Sequence, residues 1–364
     1  MKLFSCPHCG HRLYFENAQC LNCSSLVSYD PGQADFVLTG IDGAMQCTNA
    51  TECGCNWVAQ HDQPFCRACA LNKTIPDLSI EGNRTRWTRV EAAKKRAIYS
   101  LLGFGLTVEP KMNPGDEIGI AFDFLADPLV GNAPAGTHVL TGHDNGLITL
   151  NVAEADSSER EKMRAEMGER YRTLLGHFRH ELGHYYWDRL IRDDPDTLAR
   201  FRALFGDETA DYDAALQNHY ANGAPPDWEL RHISAYAASH PWEDWAETWA
   251  HYLHITDTLE MVRSLDLPLG ELDTRADLPT SDRGQPPLPA PDDGATGSKE
   301  PFSRTLARWM VLSEAANSIN RCMGLPDLYP FVISPTTAEK LAFVHELVGA
   351  FKGEPAAEEV QQAA

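Results

Sequence analysis

The segment His180-Glu181-Leu182-Gly183-His184 constrains this chain more than any other stretch of its sequence. Two histidines at positions i and i+4 of a helix point the same way and can bind one metal ion. The surrounding residues favour a helix, because residues 171–191 contain no proline and their apolar side chains recur at helical spacing. The sequence therefore predicts a helix over 171–191 that presents His180 and His184 on one face.

The chemistry of this segment is that of a catalytic zinc site. Two neutral imidazoles and a third ligand hold Zn²⁺, and the open fourth position takes a water whose pKa falls to about 7. Glu181 follows the first histidine, where its carboxylate can accept a proton from that water. Gly183 and Gly176 each cost about 1 kcal/mol of helix stability relative to alanine. We expect both glycines to mark a close approach of another element or of substrate.

A second helix supplies candidates for the third ligand. Pro241 followed by acidic residues is typical of a helix start. Glu243 and Glu247 share a face, so one can bind the metal while the other accepts a hydrogen bond from a metal-bound histidine. Asp244 is rotated by about 100° from Glu243, which predicts a solvent-exposed or capping residue. His251, one turn after Glu247, is a further possible ligand.

Nine of the ten cysteines fall in two N-terminal clusters. The first contains two Cys-x-x-Cys pairs and predicts a closed zinc site formed by Cys6, Cys9, Cys20 and Cys23. The second contains five cysteines for four places, and we favour Cys47, Cys55, Cys66 and Cys69. Residues 56–58 resemble a strand leaving the site, which leaves Cys53 as the extra thiol. The isolated Cys322 is interpreted as a small buried residue.

Composition limits the possible partners and the compartment. The formal net charge is −21, which works against binding to nucleic acids or anionic membranes because phosphate contacts need Lys and Arg. No apolar run of about 18 residues and no basic-then-apolar N-terminal signal is present. We therefore expect a cytoplasmic protein whose clustered cysteines bind metal. The basic residues near the start of the helix predicted over 87–102 are expected to form a solvated face.

These motifs resemble those of known zinc peptidases. The histidine pair with Glu243 and Glu247 is similar to the gluzincin metallopeptidases, in which the first glutamate of the downstream helix completes the zinc site. Segments 55–57, 140–146 and 176–188 resemble a bacterial family of zinc-binding metallopeptidases with an N-terminal zinc ribbon. The resemblance implies that Glu243 is the ligand and that Glu247 orients a histidine. Tyr236, seven residues before Glu243, matches a tyrosine beside the metal in a distant gluzincin, anthrax lethal factor.

The expected fold class is α+β. An N-terminal zinc-ribbon module should precede a mainly helical, zincin-like metallopeptidase domain with a small antiparallel sheet. Residues 71–78 are predicted to be an extended linker, and Asn145-Gly146 predicts a hairpin turn. The predicted division is a zinc-ribbon region with two Cys₄ sites at 1–80, a catalytic domain at 84–265, a flexible Pro/Gly/Asp-rich loop at 266–303, C-terminal helices at 304–352 and a disordered tail at 353–364.

The predicted function is zinc-dependent peptide hydrolysis, with one catalytic and two structural zinc ions. Glu181 would be the general base, Tyr236 would stabilise the oxyanion, and a peptide or protein would be the substrate. A protein partner could also dock on the zinc ribbons. The alternative is a non-proteolytic binding or regulatory protein with a residual site. Glu181 favours the enzyme, because a residual site needs no base between its two histidines. A nucleic-acid-associated ribbon protein is disfavoured by the charge.

Overall fold

The computed structural model describes residues 1–116, 118–127, 139, 141–166, 173–269 and 301–351. These residues form two compact units. The first unit contains Met1–Leu3 and Ser158–Glu346, and the second contains Phe4–Ser157 and the segment from Leu347. The flexible loop predicted at 266–303 and the tail predicted at 353–364 lie largely outside the described residues. None of the described helices has the length and apolar character that a membrane crossing requires.

The second unit begins with two short antiparallel hairpins. Strand β1 (Phe4–Ser5) pairs with β2 (Arg12–Leu13), and β3 (Val27–Asp30) pairs with β4 (Asp35–Leu38). A short helix, α1 (Ala50–Cys53), follows. Strands this short bury little surface, and a cluster of aromatic rings with centroids 5.0–6.4 Å apart fills the space between them. The cluster contains Phe4, Phe15, Tyr29, Phe36 and Trp57, all of which are buried.

A four-stranded sheet completes this unit, in the order β5 (Asn72–Thr74), β6 (Ala121–Leu125), β8 (Leu147–Asn151) and β7 (Gly142–Asp144). The α+β class is confirmed, but the sheet is mixed, because only β7 and β8 are antiparallel. The segment predicted to be a linker contributes β5. The predicted turn at Asn145-Gly146 joins β7 to β8, and both residues have the positive φ that this kind of turn requires.

Helix α2 (Asn83–Gly103) packs in the second unit with its basic residues paired or buried. Glu91 and Lys94 are fully buried and form an ion pair of 2.9 Å. Arg86 pairs with Asp156 at 2.7 Å. The expectation of a solvated basic face is therefore wrong for Lys94 and Lys95, which are buried, whereas Arg89 is exposed. Helical spacing alone could not show that acidic partners lie in the surrounding structure, and a buried charge needs such a partner.

The first unit is built from helices. The helix predicted over 171–191 is observed from Leu174, after the N-cap Thr173, whose hydroxyl accepts a hydrogen bond from the Gly176 amide. Residues 171 and 172 lie outside the described residues. Cys322 is exposed at the end of α8, so the expectation that it is buried is wrong. The helices are α3 (Ser157–Glu166), α4 (Leu174–Leu190), α5 (Pro195–Phe205), α6 (Tyr212–Asn222), α7 (Pro241–Ser264), α8 (Phe302–Cys322) and α9 (Pro335–Ala350).

Helices α4 and α7 pack against each other at Gly183. A β-carbon at Gly183 would lie 3.1 Å from the Cα of Ala246 and 3.1 Å from Cδ1 of Trp249. The indole of Trp245 donates a hydrogen bond of 2.8 Å to the Gly183 carbonyl. The expectation that Gly183 marks a close approach is confirmed. This contact brings the histidine pair of α4 next to the acidic first turns of α7.

Candidate metal centres

His180, His184 and Glu243 converge between α4 and α7. Their candidate ligand atoms all lie within 4.8 Å of one another, and the three residues are buried. Glu243 Oε2 lies 2.9 Å from His180 Nε2, and Glu243 Oε1 lies 3.6 Å from His184 Nε2. The structure thus brings together the three residues that the sequence analysis selected for a catalytic zinc.

Glu247 orients His180 from the other side of the imidazole ring. Glu247 Oε1 lies 2.8 Å from His180 Nδ1, and the Ser234 hydroxyl donates a hydrogen bond of 2.6 Å to Glu247 Oε2. Burial alone would raise the pKa of Glu247, but the hydrogen bond and charge of His180, the charge of His251 and the Ser234 bond lower it to about 2. The ionised carboxylate therefore keeps a proton on Nδ1 and directs Nε2 towards His184 and Glu243.

A proton and a metal ion compete for Nε2 of His180. Burial would lower the pKa of His180, but the neighbouring carboxylates of Glu243 and Glu247 raise it well above its usual range. Because a histidine ligand must be neutral at the coordinating nitrogen, binding of a metal ion releases that proton. The occupancy of the site is therefore expected to fall at acidic pH.

Glu181 is buried beside this cluster and hydrogen-bonded to a third histidine of α4. His177 Nε2 lies 3.2 Å from Glu181 Oε1. Burial would raise the pKa of Glu181, but the His177 bond and the charges of His177, His180 and His184 together lower it. The carboxylate is consequently ionised at neutral pH, which is the state that a general base requires.

Tyr236 lies beside the cluster, at the first residue of a one-turn 3₁₀ helix (Tyr236–Ala238) that precedes α7. Its ring centroid is 6.0 Å from that of His180, and the side chain is half-buried. Burial and the nearby charge of Glu243 raise the pKa of the phenol, so Tyr236 stays protonated at neutral pH. The predicted oxyanion-stabilising role needs such a donor, and the role itself stays a prediction.

Two other candidates on α7 do not join the cluster. Asp244 is fully buried and pairs with Lys340 of α9 at 2.5 Å and with His232 at 3.1 Å. The expectation of a solvent-exposed or capping Asp244 is therefore wrong, because α9 covers that side of α7. His251 is buried, and its Nδ1 lies 2.8 Å from the hydroxyl of Tyr329.

The donor set fits a zinc ion. Two imidazole nitrogens and one carboxylate oxygen are a usual ligand set for catalytic zinc, which keeps its fourth position open. Glu243 Oε2 is buried and makes no hydrogen bond of ordinary geometry, although it lies close to His180 Nε2. A buried carboxylate oxygen needs a compensating interaction. A metal ion held by His180, His184 and Glu243 would provide it.

The two cysteine clusters also fit zinc. The structure brings together the sets favoured from sequence, namely Cys6, Cys9, Cys20 and Cys23, and Cys47, Cys55, Cys66 and Cys69. Four of the Sγ–Sγ distances are 3.7 Å. A ZnS₄ tetrahedron with bonds of about 2.3 Å has edges of about 3.8 Å, whereas a disulfide holds its sulfurs about 2.05 Å apart. Cys53 is outside this set, and its Sγ contacts the Asn49 carbonyl.

Three polar contacts of the centre were not predicted from the sequence. Tyr212 donates a hydrogen bond of 2.6 Å to Glu243 Oε1, Ser234 bonds to Glu247, and His177 bonds to Glu181. His177 had a usable signal, because it lies four residues before Glu181 on a helix. Tyr212 is 31 residues from Glu243 and belongs to no motif that was recognised, so only the tertiary structure could reveal its contact.

Comparisons with known proteins agree with this arrangement. Residues 83–347 match a family model described as "Putative zinc-binding metallo-peptidase", and residues 3–80 match a zinc-ribbon domain. Uncharacterised proteins of Mycobacterium bovis and of two Mycobacterium tuberculosis strains are 40% identical over 351 residues, which is 96% of this chain and 95% of each relative. No solved structure matches the chain. The family match covers well over half of the sequence, and the chain therefore belongs to the zinc-binding metallo-peptidase family that this model describes.

Proposed function

We propose that this protein is a gluzincin-type zinc peptidase that hydrolyses peptide bonds in peptide or protein substrates. The observation that supports this best is the buried Glu181, which lies beside the convergent His180, His184 and Glu243 and 3.2 Å from Nε2 of His177. A residual site that only binds metal has no need of a general base at this position. The family match supports the coarser assignment to zinc peptidases.

The residues of the chain divide the reaction between them. Zinc held by His180, His184 and Glu243 would supply a Lewis acid and lower the pKa of a water. Glu181 accepts the proton of the attacking water at its carboxylate and delivers it to the leaving amine. Tyr236, protonated at neutral pH, donates a hydrogen bond to the oxyanion that develops on the scissile carbonyl.

We further infer three zinc ions per chain, one catalytic and two structural, with the structural ions in the ribbon region at 1–80. The predicted boundaries of the catalytic domain at 84–265 and of the C-terminal helices at 304–352 belong to the same proposal. A reducing, cytoplasmic location is supported by the ten cysteines, all described and none in a disulfide. A protein partner on the ribbons is supported by apolar side chains there, such as Leu21 and Met45, that are exposed.

The decisive experiment compares wild type with Glu181→Gln in a peptide-library cleavage assay. The variant should retain its zinc and its circular dichroism spectrum while turnover falls by about 10²-fold or more. Glu161→Gln on α3, which removes the same charge from an exposed side chain, is the matched control and should cleave like wild type. Equal cleavage by wild type and Glu181→Gln would refute the proposal and favour the non-proteolytic alternative.

A further inference from the structure

Helix α6 approaches the metal cluster although it has no buried residue of its own. It begins at Tyr212, after the N-cap Asp211, whose carboxylate accepts a hydrogen bond of 3.0 Å from the Ala214 amide. None of the residues from Tyr212 to Asn222 is fully buried, and the inward face of the helix, formed by Tyr212, Ala215, Leu216 and His219, is only half-buried, so burial of apolar surface anchors this helix only in part. The polar and aromatic contacts of its first residue become important for that reason.

The first of these contacts is the hydrogen bond to Glu243. The Tyr212 hydroxyl lies 2.6 Å from Glu243 Oε1, whereas Glu243 Oε2 lies 2.9 Å from His180 Nε2. A tyrosine phenol carries its proton at neutral pH and a carboxylate oxygen only accepts, so Tyr212 is the donor in this bond. One carboxylate oxygen is thus held by the phenol, and the other faces the histidine.

The second contact links Tyr212 to the start of α7 through the buried His240. The Trp242 amide donates to Nδ1 of His240 at 3.1 Å, so the ring hydrogen lies on Nε2, which donates to the Ala210 carbonyl at 3.1 Å. The Tyr212 and His240 rings meet edge to face, with centroids 5.1 Å apart. His240, the N-cap of α7, therefore also fixes the chain at Ala210, just before Tyr212. Because Glu243 lies three residues after His240, the same contact aligns the phenol of Tyr212 with the Glu243 carboxylate.

We propose that Tyr212 is a positioning residue for Glu243, which holds Oε1 so that Oε2 is directed towards Nε2 of His180. The inference rests on the proposed function, in which Glu243 is the third zinc ligand. A carboxylate released from the phenol gains rotational freedom, and binding of zinc must then restrict that freedom. Residues that orient a ligand in this way typically contribute about 10- to 100-fold to metal affinity.

The test measures zinc affinity by chelator competition in the full-length protein for wild type, Tyr212→Phe and Tyr220→Phe. Tyr220 lies on the same helix, is 58% exposed and is the matched control. Tyr212→Phe should weaken the binding of one zinc ion by about 10- to 100-fold, with the two ribbon ions unchanged as an internal check on folding. The visible spectrum of Co²⁺ bound at this site should also differ between wild type and Tyr212→Phe, because that spectrum reports ligand geometry.

Glu243→Ala, measured in parallel, separates the two proposals. If Glu243→Ala retains the zinc outside the two ribbon sites with wild-type affinity, the ligand assignment fails, and the role of Tyr212 fails with it. If Glu243→Ala loses that ion while Tyr212→Phe binds it with wild-type affinity and an unchanged Co²⁺ spectrum, only the role of Tyr212 is overturned. A weakened zinc site in Tyr212→Phe, with intact ribbon zinc and a wild-type Tyr220→Phe, supports the positioning role.

Discussion

Replacing Gly183 by alanine should destabilise the protein, even though alanine favours helices. The added β-carbon would lie 3.1 Å from the Cα of Ala246, 3.1 Å from Cδ1 of Trp249 and 3.3 Å from its Cβ. Two of these three atoms belong to or adjoin the α7 backbone, so they cannot rotate away. The overlap can be relieved only if α4 and α7 separate by a few tenths of an ångström.

Two opposing effects determine the magnitude. The gain in helix propensity is about 1 kcal/mol, whereas overpacking a well-filled interface costs about 1 to 3 kcal/mol. The separation also stretches the hydrogen bond from the Trp245 indole to the Gly183 carbonyl. We therefore expect a net loss of about 1 kcal/mol in the free energy of unfolding. Because Glu243 moves with α7, the affinity for the third zinc should fall as well.

Gly176, one heptad earlier on α4, provides the control. A β-carbon there would meet only side chains, with Thr173 Oγ1 at 3.1 Å and His254 Nε2 at 3.5 Å. These atoms can adjust, although movement of Thr173 strains the cap that it provides for α4. We expect the propensity gain of about 1 kcal/mol to offset that strain. Gly176→Ala should therefore stay close to wild type in stability and in zinc content.

Urea unfolding of wild type and both variants, followed by tryptophan fluorescence, measures these differences. Trp245 and Trp249, two of the eight tryptophans of the chain, lie at the α4–α7 interface and contribute the part of the signal that responds to its separation. Zinc affinity is measured on the same samples. If Gly183→Ala matches or exceeds wild type in stability and binds three zinc ions with unchanged affinity, the interface is looser than the structure shows and the reasoning fails.

Three further predictions concern the metal centres. Glu243→Ala should lose the catalytic zinc, whereas Glu247→Ala should keep it with affinity lowered by about 10- to 100-fold. Elemental analysis and chelator titration distinguish these outcomes. The reverse result would exchange the roles of Glu243 and Glu247. Chelation should remove zinc in two stages, and loss of the two Cys₄ ions should unfold the N-terminal region, which circular dichroism detects. Elemental analysis that finds one zinc or fewer per purified chain would contradict the two ribbon sites. Tyr236→Phe should lower kcat by about 10²-fold with little change in KM, and a change in KM alone would make Tyr236 a substrate-binding residue.

The parts of the site that sequence could predict depend on short-range geometry. The two histidines and Glu181 lie within five residues, so helical periodicity alone places them together. The cysteine pairs are equally local, and the strand predicted at 56–58 favours Cys55 over Cys53, although the structure forms only isolated bridges at Trp57 and Val58. The structure brings Cys47, Cys55, Cys66 and Cys69 together. In each case the spacing along the chain already determines which side chains can share one metal ion.

The parts that sequence could not predict depend on contacts between distant segments. Asp244 was expected in solvent because its rotation from Glu243 says nothing about what covers that face, and Lys340 lies 96 residues away. Tyr212 lies on a face at helical spacing with Ala215 and Leu216, but that pattern does not show that its hydroxyl meets Glu243, 31 residues away. The basic residues of α2 looked solvated for the same reason, because the partner of Arg86 is Asp156. The spacing of residues along a helix determines which face a side chain lies on. The packing of distant segments determines which partner that side chain contacts.

The three carboxylates at the start of α7 show why the rotation of this helix matters for the proposed chemistry. Glu243 faces His180 and His184, Glu247 reaches the other nitrogen of His180 one turn later, and Asp244 points to Lys340 on α9. A buried ion pair such as Asp244–Lys340 contributes little net stability, but loss of one partner costs about 3 to 5 kcal/mol because a charge is left unpaired. That penalty opposes any rotation of α7 that would separate Asp244 from Lys340. The same rotation would remove Glu243 from the histidines, so the Asp244–Lys340 pair and the contact of Glu243 with His180 favour the same rotation of α7.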